Sequence, residues 1–371
     1  MVNHSREKSP SVTSGNGKTA LSEEAISIMN EKLAGMINQT DILILRRSAM
    51  ELLELMYKAP SSGSEPANPS RLISREVVMD ELNQVAASRT AERAAYYAKR
   101  LYRSLNHTRT GKVNDIDLSR WKEYDDIVTD SLWIERGRDR SSGHSAWYWG
   151  NFIPMIPRQM MQRYTKKGDW VLDPFMGSGT TLIESRRLGR NAIGVDLNPE
   201  TVTRAAEIVD ATENPFNVST KSYTGNSLAI DYQRIMKENG IENFQLVILH
   251  PPYQDIISFS KSPDDLSNIQ DTGTFIRKIG ELAEKMRLIL EEGRYLVLVI
   301  GDKYSKSVHI PLGFYCMNEI MQRGFLLRSM VVKNFETTKG KRNSEQLWRY
   351  RALSGGFYVF KHEYIFIFSR D

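Results

Sequence analysis

The tetrapeptide His250-Pro251-Pro252-Tyr253 follows directly on the apolar run Leu246-Val247-Ile248-Leu249. A run of that kind suits a parallel strand buried on both faces. Two prolines end it at once, because neither can donate to a sheet ladder. The resulting turn is rigid and presents an imidazole and a phenol at the carboxyl end of a strand, where open α/β sheets bind their ligands. Neutral imidazole offers one nitrogen as a hydrogen-bond acceptor, and imidazolium offers none. An imidazole that serves as an acceptor therefore loses that capacity as the pH drops through the histidine range.

A second chemical stretch runs from Val171 to Glu200. A strand ends in Asp173, a loop carries Gly177 and Gly179, and Thr180-Thr181 open a helix. Such a loop brings backbone N–H groups close to a ligand. The following strand ends in Asp196, where a carboxylate can take the two hydroxyls of a ribose. A Walker A loop is excluded because no lysine follows Gly179, and a dinucleotide fingerprint because Leu182 stands where its third glycine is needed. S-adenosylmethionine has no phosphate and needs neither feature. Its ribose, adenine and ammonium-carboxylate suit Asp196, a loop after the next strand, and Asp173 respectively.

The stretch Asp173-Pro174-Phe175-Met176-Gly177-Ser178-Gly179-Thr180-Thr181 resembles the cofactor motif of the amino-group DNA methyltransferases, which make N6-methyladenine or N4-methylcytosine. His250-Pro251-Pro252-Tyr253 resembles their catalytic tetrapeptide, usually Asp, Asn or Ser followed by Pro-Pro and an aromatic. Trp149-Gly150-Asn151-Phe152-Ile153-Pro154 is similar to a segment that closes over the methionine end of the cofactor, and Gly225-Asn226-Ser227 stands where the family contacts the adenine. The resemblance covers roughly residues 144–371. It implies S-adenosylmethionine as cofactor, held by Asp173, Phe175, Gly177, Ser178, Gly179, Thr180, Asp196, Asn226 and Phe152. It also implies that the His250 side chain and the Pro251 carbonyl hold the hydrogens of the target amine, that Pro252 supplies rigidity, and that Tyr253 stacks on a base swung out of double-stranded DNA. His250 departs from the family's oxygen acceptors and removes the usual clue to adenine or cytosine. The resemblance further implies a restriction-modification or phage setting, with a companion restriction endonuclease or a second subunit as partner. Two alternatives stay open: an RNA base N-methyltransferase, and a non-catalytic nucleic-acid-binding subunit.

Ring-carbon methyltransferases need a cysteine nucleophile. Cys316, the single cysteine, lies in a helical stretch after Pro311 and outside any Pro-Cys dipeptide, which excludes that class. One cysteine forms no internal disulfide, and the six histidines show no close ligand pair, so no metal site is expected. A net charge of +5 is compatible with a nucleic-acid partner. The clearest basic stretch, from Lys333 to Arg351, contains Lys333, Lys339, Lys341, Arg342, Arg349 and Arg351 with Trp348 and Tyr350, and reads as a DNA-binding loop. Arg89, Arg93, Lys99, Arg100 and Arg103 offer a second basic group nearer the amino end.

The 371 residues, 40% apolar and 26% charged, have globular composition. No apolar run approaches the roughly 20 residues that span a bilayer. With no apolar segment at the amino end, the expectation is a cytoplasmic protein without a membrane partner. Residues 1–24 read as a disordered tail and 25–143 as a helical module that contacts DNA or a partner. Its helices are expected over Asp41–Ala59, with Leu43, Leu45, Met50, Leu53, Leu55 and Met56 as the apolar face, and from Val77 to Leu105, on either side of the linker Pro60–Ser70. From 144 the expectation is a Rossmann-like α/β methyltransferase domain: seven strands, mostly parallel, closed by an antiparallel C-terminal hairpin. Strand runs at 170–174, 191–196, 222–225, 245–250 and 295–301 alternate with helices at 181–188, 200–210, 232–238 and 275–290. Two further strands, Arg328–Phe335 and Phe357–Ser369, are joined by a polar loop. This order puts the tetrapeptide after the fourth strand and beside the first.

Overall fold

The structure, a computed structural model, describes residues 21–58, 73–134, 148, 150–151, 153–305, 308–335 and 345–371. The linker 60–70 lies outside them. The chain divides into two compact units, residues 1–110 with 116–125, and residues 111–115 with 126–371. The division falls earlier than residue 143.

The first unit is built from α1 (Glu23–Met36), α2 (Ile42–Lys58), α3 (Arg75–Ala86) and α4 (Ala91–Asn106). Met29, Leu33, Leu45, Leu52, Met56, Leu82 and Leu101 are buried together. The long helix expected over 77–105 is two helices, because Thr90 leaves helical geometry and its hydroxyl caps the Arg93 N–H of a new first turn. Leu43 and Met50 point outward, at 65% and 59% exposure, and Leu45, Ala49 and Leu52 form the buried face instead. Arg100 is tied to Glu81 and Gln84, so the basic group on α4 is partly neutralised within its own unit.

The second unit is a twisted α/β layer structure. Among the described residues its main sheet has eight strands: β1 (Leu132–Trp133), β2 (Trp170–Asp173), β3 (Asn191–Asp196), β4 (Thr220–Thr224), β5 (Phe244–Leu249), β6 (Leu290–Ile300), β9 (Phe325–Asn334) and β10 (His362–Arg370). A small separate hairpin, β7 (Lys303–Ser305) with β8 (Val308–Ile310), follows β6. The strand order β1-β9-β10-β6-β5-β2-β3-β4 includes the expected antiparallel hairpin, with β10 inserted between β6 and β9. The eighth strand is the two-residue β1, parallel to β9 at the sheet edge. It is too short to leave a periodic pattern.

Helices α6 (Thr180–Leu188), α7 (Pro199–Asp210), α8 (Tyr232–Asn239) and α9 (Thr272–Ile289) lie where the sequence places them, as does α10 (Leu312–Gln322). Two were not expected: α5 (Met155–Tyr164) and α11 (Glu345–Gly355), the latter within the stretch read as a polar loop. Successive residues of the strands alternate between two cores. Leu172, Val247, Leu249 and Leu298 pack with Phe275, Ile279 and Cys316. Val171, Leu246, Ile248 and Val297 pack with Ile156, Leu182 and Ala205. A sheet covered on both faces explains the unbroken apolar runs. No helix among the described residues is long and apolar enough to cross a membrane.

The sheet leaves no room at Gly194. A Cβ there would sit 2.4 Å from Met176 Sδ and 2.9 Å from Leu182 Cδ1. Gly194→Ala should therefore destabilise the second unit by roughly 1–3 kcal/mol, measured as a lower urea midpoint at unchanged slope.

Candidate active site

β2, β3 and β4 run outward on one side of the sheet, and the chain then returns through α8 to lay β5 on the other side of β2. Val171 pairs with Leu246 and Leu172 with Val247. The carboxyl ends of β2 and β5 are thus neighbours at the point where strand order reverses, the crevice in which open α/β sheets take ligands.

At the end of β2, Asp173 is 1% exposed. Its Oδ1 accepts the Phe175 N–H at 3.0 Å, and its Oδ2 accepts the Thr181 hydroxyl. The carboxyl so ties the start of the glycine loop to the first turn of α6. Burial pushes its pKa up to about 7, opposed by those two hydrogen bonds. Gly177 and Gly179 hold φ of +47° and +79°. A Cβ on them would lie 2.8 Å from Tyr148 Cε1 and 2.9 Å from Val209 Cγ2. Glycine is required at both for backbone and for space. Ser178 and Thr180 are buried with their hydroxyl oxygens 3.4 Å apart.

Asp196, at the end of β3, accepts the Gly177 N–H at 3.1 Å and the Asn198 N–H at 3.0 Å, one on each oxygen. Burial raises its pKa. A carboxylate has about four lone-pair sites, so these hydrogen bonds leave capacity for a ribose hydroxyl. The Asp196 carbonyl takes the Gly225 N–H at 2.9 Å, which brings Asn226 beside it. Asn226 Oδ1 caps the Leu228 N–H at 2.9 Å, leaving its NH₂ as the donor end of the side chain. A left-handed glycine loop, a buried acid raised in pKa and so suited to a cation, and an acid at the next strand end fit S-adenosylmethionine.

Of the segment 149–154, Trp149 and the candidate Phe152 lie outside the described residues. Gly150 and Asn151 are placed against the loops of the site. The Asn151 amide donates to Ser178 Oγ. A Cβ on Gly150 would meet Phe259 Cζ at 2.9 Å, and Tyr148 stacks on Phe259 at 5.9 Å.

Beyond β5, Pro252 and Gln254 shape the turn. The Gln254 N–H donates to the Pro252 carbonyl at 2.8 Å, at a φ of +53°. The buried Gln254 amide donates to the Ile269 and Gln270 carbonyls, which pins both ends of the loop 254–271. His250 Nε2 lies 3.3 Å from the Tyr253 hydroxyl, with the rings edge to face. That hydroxyl donates to Glu363 Oε2 at 2.7 Å, and Glu363 Oε1 accepts from Lys333 Nζ at 3.0 Å. Lys333 and Glu363 face each other in the β9–β10 register and are almost fully buried. A Cβ on Gly301 would sit 3.0 Å from Tyr253 Cε2, so that glycine gives the phenol ring its place.

Burial, reinforced by Lys333 and opposed by Glu363, lowers the His250 pKa to about 4. Burial and then the Glu363 charge raise that of Tyr253. Glu363 itself is lowered: burial alone would raise it, but Lys333, His250 and Tyr253 outweigh that. His250 is therefore neutral far below the ordinary histidine range. A loss of acceptor function is expected near pH 4 rather than between mildly acidic and neutral pH, which corrects the window read from the residue type.

Lys333 is not part of a DNA-facing strip, since it is spent on Glu363. Arg349 and Arg351 are exposed on α11, with the Arg351 guanidinium 5.2 Å over the Trp348 ring. Lys339, Lys341 and Arg342 lie outside the described residues. Cys316 is buried in α10 with its thiol pKa raised by burial, and is no nucleophile. Sequence reading missed Glu363, Gly301 and Tyr148. An acid inside an otherwise apolar C-terminal strand was the one available signal for Glu363.

A family model described as DNA methylase matches residues 60–207, ending ahead of the tetrapeptide. The Type II methyltransferase M.MjaII of Methanocaldococcus jannaschii is 46% identical over 52 residues, 14% of this chain and 10% of the relative. M2.DpnII of Streptococcus pneumoniae is 43% identical over 65 residues, covering 16% and 24%. M1.MboII of Moraxella bovis is 44% identical over 61 residues, covering 15% and 24%. The chain thus spans about a quarter or less of the length of these curated relatives. Among solved structures, TrmN from Thermus thermophilus aligns with a TM-score of 0.38 at 14% identity, covering 59% of this chain and 49% of that one. A SAM-dependent methyltransferase from Methanosarcina mazei aligns with a TM-score of 0.38 at 14% identity, covering 57% and 96%. The fold assignment rests on the strand order itself.

The lowered His250 pKa has a stability consequence. Between about pH 4 and the unfolded value near 6.5 the unfolded chain binds more protons at this site than the folded one, so folding stability falls as the pH falls through that window. From pH 7 to pH 5 the site should cost roughly 1–2 kcal/mol. Urea unfolding of the protein and of His250→Gln at both pH values isolates the contribution, and an equal pH dependence in the two would refute it.

Proposed function

We propose that this chain is an amino-group DNA methyltransferase and that it methylates the exocyclic amine of adenine at N6 or of cytosine at N4 in double-stranded DNA. The observation that carries the reading is the juxtaposition of two loops at one switch point, the Asp173–Thr181 glycine loop at β2 and His250–Tyr253 at β5. S-adenosylmethionine is the cofactor, and when bound it supplies an electrophilic methyl group on a positively charged sulfur. Asp173, Gly177, Ser178, Gly179, Thr180, Asp196 and Asn226 would hold it, with Phe175 and the segment around Asn151 beside them. The exocyclic amine is a poor nucleophile because its lone pair is delocalised into the ring. Acceptors fixed on its hydrogens favour a more pyramidal nitrogen, and His250 with the Pro251 carbonyl supplies them on a turn that the prolines hold still. Tyr253 offers an aromatic face to a base drawn out of the duplex, without which the amine is out of reach.

Arg349 and Arg351, with Lys339, Lys341 and Arg342, would contact the DNA backbone. In the cell the reading is of a modification enzyme with a companion endonuclease.

The testing experiment is nucleoside mass spectrometry after incubating the pure protein with S-adenosylmethionine and unmodified DNA, with RNA in parallel. N6-methyladenine or N4-methylcytosine in DNA is expected, and methyl groups on RNA alone would overturn the substrate assignment. A second expectation comes from Asp173, whose pKa is raised to about 7 by burial. Below that pH its carboxyl is protonated in the free protein, and a cationic ligand favours its ionised form. Cofactor binding should release a proton below pH 7 and tighten as the pH rises towards 7. Calorimetry in two buffers of different ionisation enthalpy reads this directly, and Asp173→Asn should abolish the release.

A further inference from the structure

His250 stands where an oxygen acceptor is the family's habit, and an imidazole accepts at one nitrogen only, so its tautomer decides whether it can serve. A tyrosine hydroxyl has a single hydrogen to donate. At Tyr253 that hydrogen goes to Glu363 Oε2, 2.7 Å away. Glu363 cannot reverse the bond, because Lys333 Nζ lies 3.0 Å from its other oxygen and keeps it a carboxylate, which only accepts. Towards His250 the Tyr253 oxygen is therefore left with lone pairs alone. His250 Nε2 lies 3.3 Å from it, and that contact is a hydrogen bond only if Nε2 carries the proton.

We infer that Lys333, Glu363 and Tyr253 form a relay that locks His250 in its Nε2–H tautomer, making Nδ1 the ring's acceptor. Lys333 and Glu363 are positioning residues in this scheme, acting through Tyr253. Among the described residues, the groups that bear on His250 include Glu363 on β10, Lys333 on β9 and the Tyr253 hydroxyl on its own loop. The relay joins three segments distant in sequence: the turn after β5, and the two strands of the C-terminal hairpin. The lock itself rests on geometry; its catalytic consequence, an acceptor for one hydrogen of the target amine, rests on the proposed function.

The test is nitrogen-15 NMR of the full chain labelled at histidine, with His250 assigned by difference against His250→Gln. At neutral pH the wild-type ring should show a protonated Nε2 and an unprotonated Nδ1. Lys333→Met with Glu363→Met removes both charges at similar volume, so neither is left buried alone. The Tyr253 hydroxyl can then turn its hydrogen on Nε2, and the Nδ1–H tautomer should appear. Methyl transfer should fall about 10²-fold in kcat, with the dissociation constant for S-adenosylmethionine unchanged. Tyr253→Phe, which removes the link itself, should release the tautomer in the same way and serves if the double variant does not fold. A wild-type ring protonated at Nδ1, or a ring that keeps the Nε2–H form in these variants, overturns the relay. The NMR readout needs no turnover. An intact lock in a protein that methylates nothing would sink the proposed function and support the relay, and a missing lock in an active enzyme would do the reverse.

Discussion

The return of the chain to the far side of β2 is the constraint on which the site depends. β3 and β4 extend the sheet one way, and β5 must therefore pair with the free edge of β2. No helix can cover the sheet end at that reversal, so the two loops that leave β2 and β5 face a common crevice. Everything chemical in the second unit gathers there. The glycine loop hangs on Asp173, the strand-end acid Asp196 reaches it through Gly177, and the proline turn presents His250 and Tyr253 from the neighbouring strand.

The electrostatics of the crevice follow from burial. Two acids, Asp173 and Asp196, are held with raised pKa values by desolvation, which prepares that half for a cation. The other half keeps an imidazole neutral by the same cause. On the side of β5 away from β2, the C-terminal hairpin contributes an ion pair taken out of water. Such a pair is weak evidence of stabilisation, because desolvation offsets much of its attraction. Its distinctive effect is directional: it spends the Tyr253 hydrogen and leaves the phenol oxygen as an acceptor towards His250.

Much of the sheet was legible because a strand covered on both faces must be apolar throughout. The apolar runs of β2, β3, β5 and β6 stop at Asp173, Asp196, His250 and Gly301 respectively. Less was legible where an element is short or polar. β1 has two residues, α11 carries polar and charged residues among its apolar ones, and α5 carries Pro157 in its first turn. The break between α3 and α4 was hidden because Ala87-Ser88-Arg89-Thr90 holds neither glycine nor proline. It is made by a threonine cap, which is visible only once the hydroxyl is seen on the Arg93 N–H.

The sequence by itself determined the glycine loop, the proline turn, the two strand-end acids and the alternation of strand with helix. These depend on local sterics and on periodic burial, which a neighbouring stretch of residues carries in full. Only the tertiary structure decided the state of the groups in the crevice. Lys333 reads as one more cation in a basic stretch, and Glu363 as a stray acid in an apolar strand. The antiparallel register of β9 and β10 turns them into one buried pair, and the pairing of β10 with β6, beside β5, brings that pair to Tyr253. A pKa and a tautomer belong to the surroundings of a side chain, and those surroundings come from segments that meet only when the sheet is formed.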